Sequence, residues 1–132
     1  MVTREDLESN LIRMDLDFEE VDEGMFLVQP RNDGPPVVVH HSPPLLMFRL
    51  KVMTLPENRE LGGLYEALLV WNATDVVHGA YGIEERDLLL TDTLELETLD
   101  FPEMQASLES IQMAAASHIQ QIKALAGVGQ EG

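Results

Sequence analysis

The four histidines are the side chains of this chain best suited to metal binding or proton transfer. His40 and His41 are adjacent, so on a strand they point to opposite faces and cannot easily hold one metal ion together. His78 falls within an alternating stretch, and His118 lies one residue from the apolar stripe of the last predicted helix. No pair shows the spacing of zinc ligands. We therefore expect structural or surface roles for all four, and the sequence predicts no metal site.

Other catalytic chemistry finds equally little support in the sequence. The serines do not lie in a G-x-S-x-G nucleophile elbow, and neither a G-x-x-x-x-G-K-[ST] loop nor a G-x-G-x-x-G motif occurs. Cysteine is absent, which excludes disulfides and thiolate chemistry. Carboxylate pairs are abundant, but with 24 acidic residues such pairs arise by chance. The sequence predicts no catalytic residue, no cofactor and no enzyme; a small-molecule-binding enzyme is kept only as a third hypothesis.

The net charge of the chain limits the partners that it can bind. Asp and Glu number 24 against 8 Lys and Arg, which gives a formal charge of -16. Such a surface repels phosphate backbones and anionic lipid headgroups, so we expect neither nucleic acid nor a membrane as a partner. A basic or uncharged protein segment is the better expectation. The alternative is that the acidic surface serves solubility alone.

The length and composition predict a single domain. The 132 residues suit one core, and a hydrophobic share of 45% is enough to build it. We place the domain at 1–126 and expect the glycine-rich residues 127–132 to form a flexible tail. The N-terminus has no apolar signal-peptide region, and no apolar run approaches the ~20 residues of a membrane span. A cytoplasmic protein is therefore expected.

The middle of the chain has the clearest structural pattern. A wide apolar stripe predicts a helix packed on more than one side, with Asn58 as its N-cap. The stripe comprises Leu61, Leu64, Leu68 and Trp71, flanked by Tyr65, Leu69 and Asn72. Period-two alternation over 77–83 then predicts a strand, and residues 88–90 return as a second strand after the polar turn 84–87. Residues 94–97 continue that strand or form an edge piece.

The N-terminal part predicts one helix and a hairpin. Residues 3–14 form an amphipathic helix, in which Thr3 and Asp6 resemble a capping box. A short strand at 18–21 follows, then an acidic turn at 22–24 and a return strand at 25–29.

Residues 30–55 predict a loop and a longer strand. The loop is PRNDGPP, at 30–36, and Val37 to Val39 favour an additional strand. The segment 40–44, HHSPP, interrupts that strand, and its prolines indicate a bend, a bulge or an edge position. The strand over 45–55 alternates between two sets of side chains. One set is Leu46, Phe48, Leu50 and Val52, and the other is Met47, Arg49, Lys51 and Met53.

The C-terminal part predicts a long helix. Asp100 and Glu103 form a capping pair, and Pro102 lies in the first turn, where proline is tolerated. The apolar stripe of this helix comprises Met104, Leu108, Ile111, Ala115, Ile119, Ile122 and Leu125. The whole order is α-β-β-β-α-β-β-α, with one extra strand possible around Val37. These elements predict an α+β fold in which helices pack on one mainly antiparallel sheet.

The hydrophobic pattern resembles that of a known family. The residues concerned are Leu64-Tyr65-Glu66-Ala67-Leu68-Leu69-Val70-Trp71-Asn72, Gly79-Ala80-Tyr81-Gly82-Ile83, Leu88-Leu89-Leu90 and Leu99-Asp100. In this pattern, and in element order, the chain resembles the type III secretion chaperone-like fold and, more closely, the YbjN-type bacterial domains. The PRNDGPP loop and the HHSPP segment depart from that pattern. The resemblance implies a small, non-enzymatic protein that is often dimeric, and it carries over no catalytic or metal-binding residue.

The leading hypothesis is a protein-binding module that recognises a polypeptide segment as a homodimer. Met47, Arg49, Met53 and Trp71 are its candidate binding residues, since methionine suits adaptable apolar contact and tryptophan is enriched at interfaces. The alternative placement for the methionines and the tryptophan is the core. A second hypothesis is a YbjN-like regulatory domain without an unfolded client.

Overall fold

Three helices pack on one face of a six-stranded antiparallel sheet. The computed structural model describes residues 1–31 and 34–128. The elements, in chain order, are α1 (Arg4–Arg13), β1 (Phe18–Asp22), β2 (Met25–Val28), β3 (Val37–Ser42), β4 (Leu45–Thr54), α2 (Gly62–Thr74), β5 (Ala80–Glu84), β6 (Asp87–Glu95) and α3 (Phe101–Ala126). The strand order across the sheet is β1-β2-β3-β4-β6-β5. The α+β prediction is confirmed, and the strand left open around Val37 is present as β3.

The two faces of the sheet differ in what covers them. Side chains from β2, β3, β4 and β6 meet the helices on one face and form the core, among them Phe26, Val39, Phe48, Leu50 and Leu90. Leu7 and Leu11 of α1 and Leu64 and Leu68 of α2 are buried in the same core. We call the opposite face the open face, because in the described part of the chain no helix packs on it.

The N-terminal predictions are confirmed closely. Thr3 and Asp6 form a reciprocal capping box at the start of α1. The Arg4 guanidinium, which donates to the Glu20 carboxylate with an Nε–Oε2 distance of 2.7 Å, joins this helix to β1. The predicted loop at 30–36 includes residues 32 and 33, which lie outside the described residues.

The segment 40–44 does not interrupt the sheet. His40 and His41 continue β3, pairing with Met47 and Leu46, and the turn to β4 is formed at Pro43 and Pro44. The prolines thus join two central strands at a hairpin turn, where no ladder hydrogen bond is needed from them.

A bulge in β4 corrects one predicted face. The pairing with β6 shifts between Lys51 and Met53, so that Val52 is an extra residue and Met53 pairs with Leu88. Because paired residues point to the same face, Met53 lies on the core side and not with Met47 and Arg49. It is half-buried against the core.

Two predicted element starts are also corrected. Asn58 does not cap α2, since it adopts a φ of 59° and the N-cap is Leu61, without a side-chain bond. The strand predicted from Val77 begins only at Ala80. Gly79 has a φ of 92°, and its backbone lies against the Thr91 carbonyl, so glycine turns the chain into the strand there.

The C-terminal helix begins as predicted, with the Asp100 carboxylate accepting from the Glu103 N–H at 2.8 Å. Its buried face differs in detail, because Leu125 is 40% exposed whereas Ala126 is buried. Gly127, with a φ of 74°, ends the helix, and Val128 packs against the core. The rest of the predicted tail, 129–132, lies outside the described residues.

Candidate protein-binding surfaces

The open face of the sheet presents a shallow cavity that includes two of the predicted binding residues. Met47 and Arg49 project from β4, beside Met25, Val38 and His40 of the neighbouring strands, and this cavity has a volume of about 290 Å³. Met47 is 38% exposed, an unusual level for an apolar residue in the middle of a central strand. The face therefore combines apolar contact area with basic side chains.

Ion pairs hold the two cations of the open face. The Arg49 guanidinium pairs with the Glu84 carboxylate of β5, and the Lys51 ammonium lies 3.4 Å from the Asp87 carboxylate of β6. All four side chains are substantially exposed, so the pairs contribute little stability, about 0–1 kcal/mol each. They place two basic side chains where a partner can reach them, each already paired with a carboxylate.

A second surface lies where α2 meets the outer strand β5. Tyr65, Leu69 and Val70 of α2 and Ile83 of β5 are exposed, and we call these four residues the α2–β5 face. Leu69 is 69% exposed. A small groove of about 210 Å³ runs between the helix and the strand. Exposed apolar side chains in a group of this kind mark an interaction site more often than isolated ones do.

Asn72 closes part of the free edge of the sheet. Its side-chain amide accepts from the Tyr81 N–H at 2.7 Å and donates to the Tyr81 carbonyl at 3.2 Å. The amide thus replaces a neighbouring strand at that residue. This explains why the leucine-rich helix ends near an asparagine: the residue joins α2 to β5 and protects the edge from pairing with another chain.

His118 lies at the centre of a network that joins α2, β5 and α3. Its Nε2 is 3.1 Å from the Asp75 Oδ2, and its Nδ1 is 2.7 Å from the Tyr81 hydroxyl. Because an ionised carboxylate only accepts, Nε2 carries the proton, and in the neutral ring Nδ1 accepts from Tyr81. The Trp71 indole stacks on the imidazole, with ring centres 4.0 Å apart and planes 6° from parallel.

The network shifts two titrations in opposite directions. Burial, and then the Asp75 charge, raise the pKa of the Tyr81 hydroxyl above its usual value. The hydrogen bond from His118, and then that from Thr74, lower the pKa of the Asp75 carboxyl. Near neutral pH the Tyr81 phenol is therefore neutral and the Asp75 carboxyl is ionised.

The four predicted binding residues do not form one site. Met47 and Arg49 lie together on the open face, Met53 lies on the core side, and Trp71 packs between α2 and α3. The sequence analysis missed the role of His118, which is 5% exposed. Its spacing from Ile111, Ala115 and Ile122 places it in the buried stripe itself. This spacing is the sequence signal from which its burial could have been predicted.

The described residues contain no group of three or more His, Asp or Glu side chains placed to hold a metal ion. Among the helices of residues 1–31 and 34–128, none has the length and apolar character needed to cross a membrane.

Comparison with solved structures places the fold among secretion chaperones. A chain of the ExoU–SpcU complex from the type III secretion system of Pseudomonas aeruginosa superposes with a TM-score of 0.69 at 14% identity, covering 86% of this chain and 95% of that one. YbjN from E. coli gives 0.67 at 15% identity, covering 90% and 92%. The Yersinia pestis chaperone SycH, solved with a fragment of YscM2, gives 0.60 at 16% identity, covering 84% and 94%. Identities this low show the fold alone.

The sequence itself supplies the family. No curated protein sequence shows significant similarity to the chain. The sequence model of the CesT_Tir_1 family matches residues 2–127, which is nearly the whole chain and includes every helix and strand described above. The chain therefore belongs to the CesT_Tir_1 family of type III secretion chaperones.

Proposed function

We propose that this protein is a non-enzymatic, cytoplasmic module that binds an extended segment of a partner polypeptide and does so as a homodimer, with residues 1–126 acting as one domain. The observation that carries the proposal is the family match over residues 2–127. Several solved relatives of the fold, ExoU–SpcU and SycH with YscM2 among them, are complexes with protein partners. The exposed apolar surfaces of this chain give the same kind of interaction a physical basis.

The α2–β5 face is the surface that suits a second copy of the chain. Two chains of charge -16 repel each other, so a patch of low charge favours their association. The helix α2 carries a single charged residue, Glu66, along its 13 residues. A two-fold dimer would bring Leu69, Val70 and Ile83 of each copy into one apolar interface.

Substitution at Leu69 tests the dimer. We expect the wild-type protein to sediment as a dimer and Leu69→Asp to sediment as a monomer, because each interface would then bury two uncompensated charges. Ile12→Asp is the matched control, since Ile12 is 63% exposed on α1, outside the α2–β5 face. A monomeric wild-type protein would overturn the dimer, and dimers of both variants would overturn its placement at the α2–β5 face.

The open face suits the partner segment. Half-buried Val38 and Leu27 provide apolar floor, Met47 provides adaptable contact, and Arg49 provides a charged anchor. Arginine and methionine are both enriched at protein interfaces. A segment lying across β2, β3 and β4 on this face would leave the α2–β5 face free for the second copy.

Affinity capture from the native cells tests partner binding. The tagged protein is recovered and its companions are identified by mass spectrometry, with Met47→Asp as the test variant and Ile12→Asp as the control. We expect one dominant companion that Met47→Asp retains severalfold less and that Ile12→Asp retains fully. Equal retention by all three proteins would place the binding surface elsewhere, and no companion under any condition would overturn the chaperone function.

A YbjN-like regulatory domain is the second candidate function. The superposition with YbjN, at a TM-score of 0.67 over 90% of this chain, is the observation that favours it. In that case affinity capture would recover a folded regulatory complex, and protease treatment of that complex would leave no extended segment bound to the protein.

A further inference from the structure

A polar cavity of about 350 Å³ lies between the end of α2 and the outer face of α3. Its wall contains the hydroxyls of Thr74, Ser110 and Ser117 and the carboxylate of Asp75, with the His118 imidazole behind it. Two exposed apolar side chains, Val77 and Met113, form its rim. We call it the Asp75 cavity. It is distinct from the open face and from the α2–β5 face.

The Asp75 carboxylate is held in place at the wall of this cavity. Its Oδ1 accepts from the Thr74 hydroxyl at 3.1 Å, and its Oδ2 lies 3.1 Å from His118 Nε2. An ionised carboxylate has about four acceptor positions, so two of them remain for a ligand. The Asp75 side chain is 51% exposed, which lets a ligand reach those positions.

The cavity has negative charge without a fixed cation. Within the described part of the chain, no lysine or arginine forms a salt bridge with Asp75, and His118 is its ionic partner only when the ring is protonated. The cations on the open face, by contrast, are already paired with Glu84 and Asp87. A positively charged group that enters the cavity would therefore meet an unneutralised carboxylate among hydroxyl acceptors.

We propose that the Asp75 cavity binds an arginine side chain of the partner polypeptide, in a part of it outside the segment on the open face; this inference rests on the proposed protein-binding function. A planar guanidinium can donate in a fork to the Asp75 carboxylate and use a remaining N–H group for the Ser117 hydroxyl, whereas the Ser110 hydroxyl already accepts from the His78 N–H at 3.1 Å. The aliphatic part of the side chain can lie against Val77 and Met113, which are 80% and 69% exposed. The charge of -16 attracts a basic segment to the molecule, and the cavity fixes one of its residues.

The cavity adjoins a natural reporter. Trp71 is the one tryptophan of the chain, and it stacks on the His118 ring that holds Asp75. A cation bound to the remaining acceptor positions of Asp75 should alter the hydrogen bond between Asp75 and His118 and therefore the fluorescence of Trp71. Two-dimensional amide NMR spectra locate the same event by residue.

The test uses N-acetyl-arginine methylamide as the probe and the corresponding citrulline compound as its uncharged analogue of the same shape. We expect the arginine probe to shift the amide signals of residues 74–77 and 117–118, and the citrulline compound to leave them unchanged. Asp75→Asn, which keeps an oxygen to accept from His118, should weaken binding up to about fivefold. Glu97→Gln removes the same charge from the turn after β6 and should bind the probe as the wild type does.

Three results would overturn the assignment. Equal binding by Asp75→Asn and the wild type would show that general charge attraction explains the shifts. Binding of the citrulline compound as tight as that of the arginine probe would show that the guanidinium charge is not recognised. Equally tight binding of the corresponding lysine compound would contradict the choice of arginine.

Capture of the companion separates this inference from the proposed function. If the wild type and Asp75→Asn retain the same companion equally, the cavity is not used by the partner, although partner binding stands. If the probe binds in the Asp75 cavity but no companion is ever recovered, the proposed function fails and the arginine of a partner segment fails with it.

Discussion

At the scale of single residues, buried hydrogen bonds explain more than charge does. His118 was expected to have a structural or surface role because no ligand spacing surrounded it. The structure places it in the core, where both ring nitrogens have partners and one ring face lies on Trp71. A buried imidazole with satisfied nitrogens stabilises the junction of three elements, whereas the same ring without partners would destabilise it.

Substitution of His118 tests this role. In His118→Phe a ring still stacks on Trp71, but the Tyr81 hydroxyl and the Asp75 carboxylate lose their hydrogen bonds to His118. We expect the free energy of unfolding to fall by about 1–3 kcal/mol, the cost of an unsatisfied buried polar group. Urea denaturation followed by Trp71 fluorescence measures it. His78→Phe, at an exposed position before β5, should change the same free energy by less than about 0.5 kcal/mol. Similar losses in both variants would refute the network.

The Arg4–Glu20 pair makes a prediction about pH. The hydrogen bond from Arg4 lowers the pKa of Glu20 from 4.5 to about 2. Because the pKa in the folded protein lies below that in the unfolded chain, the pair stabilises the fold fully above about pH 4.5 and loses this contribution as the pH falls toward 2.

NMR titration of the Glu20 carboxyl carbon checks that prediction. In Arg4→Met its pKa should rise toward the ordinary value of 4.5, and the variant should lose less stability on acidification than the wild type. Lys123→Met removes a cation from the other end of the molecule and should leave the Glu20 titration unchanged. A Glu20 pKa near 4.5 in the wild type would contradict the pairing.

At the scale of elements, sequence patterns predicted the features that depend on neighbouring residues, such as helix N-caps. The capping box of Thr3 and the N-cap of Asp100 were visible in the sequence because a short polar side chain and its backbone partner lie three residues apart. The prediction of Asn58 as an N-cap was wrong, because Asn58 lies in a left-handed turn before the helix. The Glu60 side chain accepts from the Gly62 N–H at the start of α2 instead. The bulge at Val52 could not be predicted from alternation, because it depends on the pairing with β6.

Asn72 gives the prediction at this scale, because its amide joins α2 to the edge of β5. Asn72→Ala removes both hydrogen bonds to the Tyr81 backbone, and we expect a loss of about 1–2 kcal/mol in the free energy of unfolding. Asn10→Ala is the matched control, since it makes the same change inside α1, where the one side-chain hydrogen bond of Asn10 to a described residue is a 3.8 Å contact with the Met104 sulfur. Chemical denaturation of both variants measures the difference; equal values would mean that the edge bonds contribute nothing.

At the scale of the whole molecule, the fold was predictable and the surfaces were only partly so. The order of the elements and the period of the hydrophobic residues determine an α+β layer architecture, and both can be read from the sequence. Met47 and Arg49 were placed on one exposed face correctly, since β4 is regular up to Lys51. Met53 was predicted on the same face but lies on the core side, because its position depends on a bulge that alternation does not describe. For Trp71 the core was the alternative to an interface, and it packs on His118.

The charge of the molecule predicts how its association depends on salt. Two acidic copies repel, and added salt screens that repulsion over about 10 Å at 0.1 M ionic strength. We therefore expect the dissociation constant of the homodimer to fall severalfold between low and moderate salt, measured by sedimentation. If salt instead weakens the dimer, ion pairs and not the apolar α2–β5 face hold it together.

Limited proteolysis of the captured complex tests the central claim most directly. The companion is digested while it is bound, and the mass of the fragment that stays with the protein is determined. The account predicts that a short segment of the companion remains bound, that this segment has no fold after release, and that Met47→Asp retains severalfold less of it. A companion that resists digestion as an intact folded domain would contradict the binding of an extended segment.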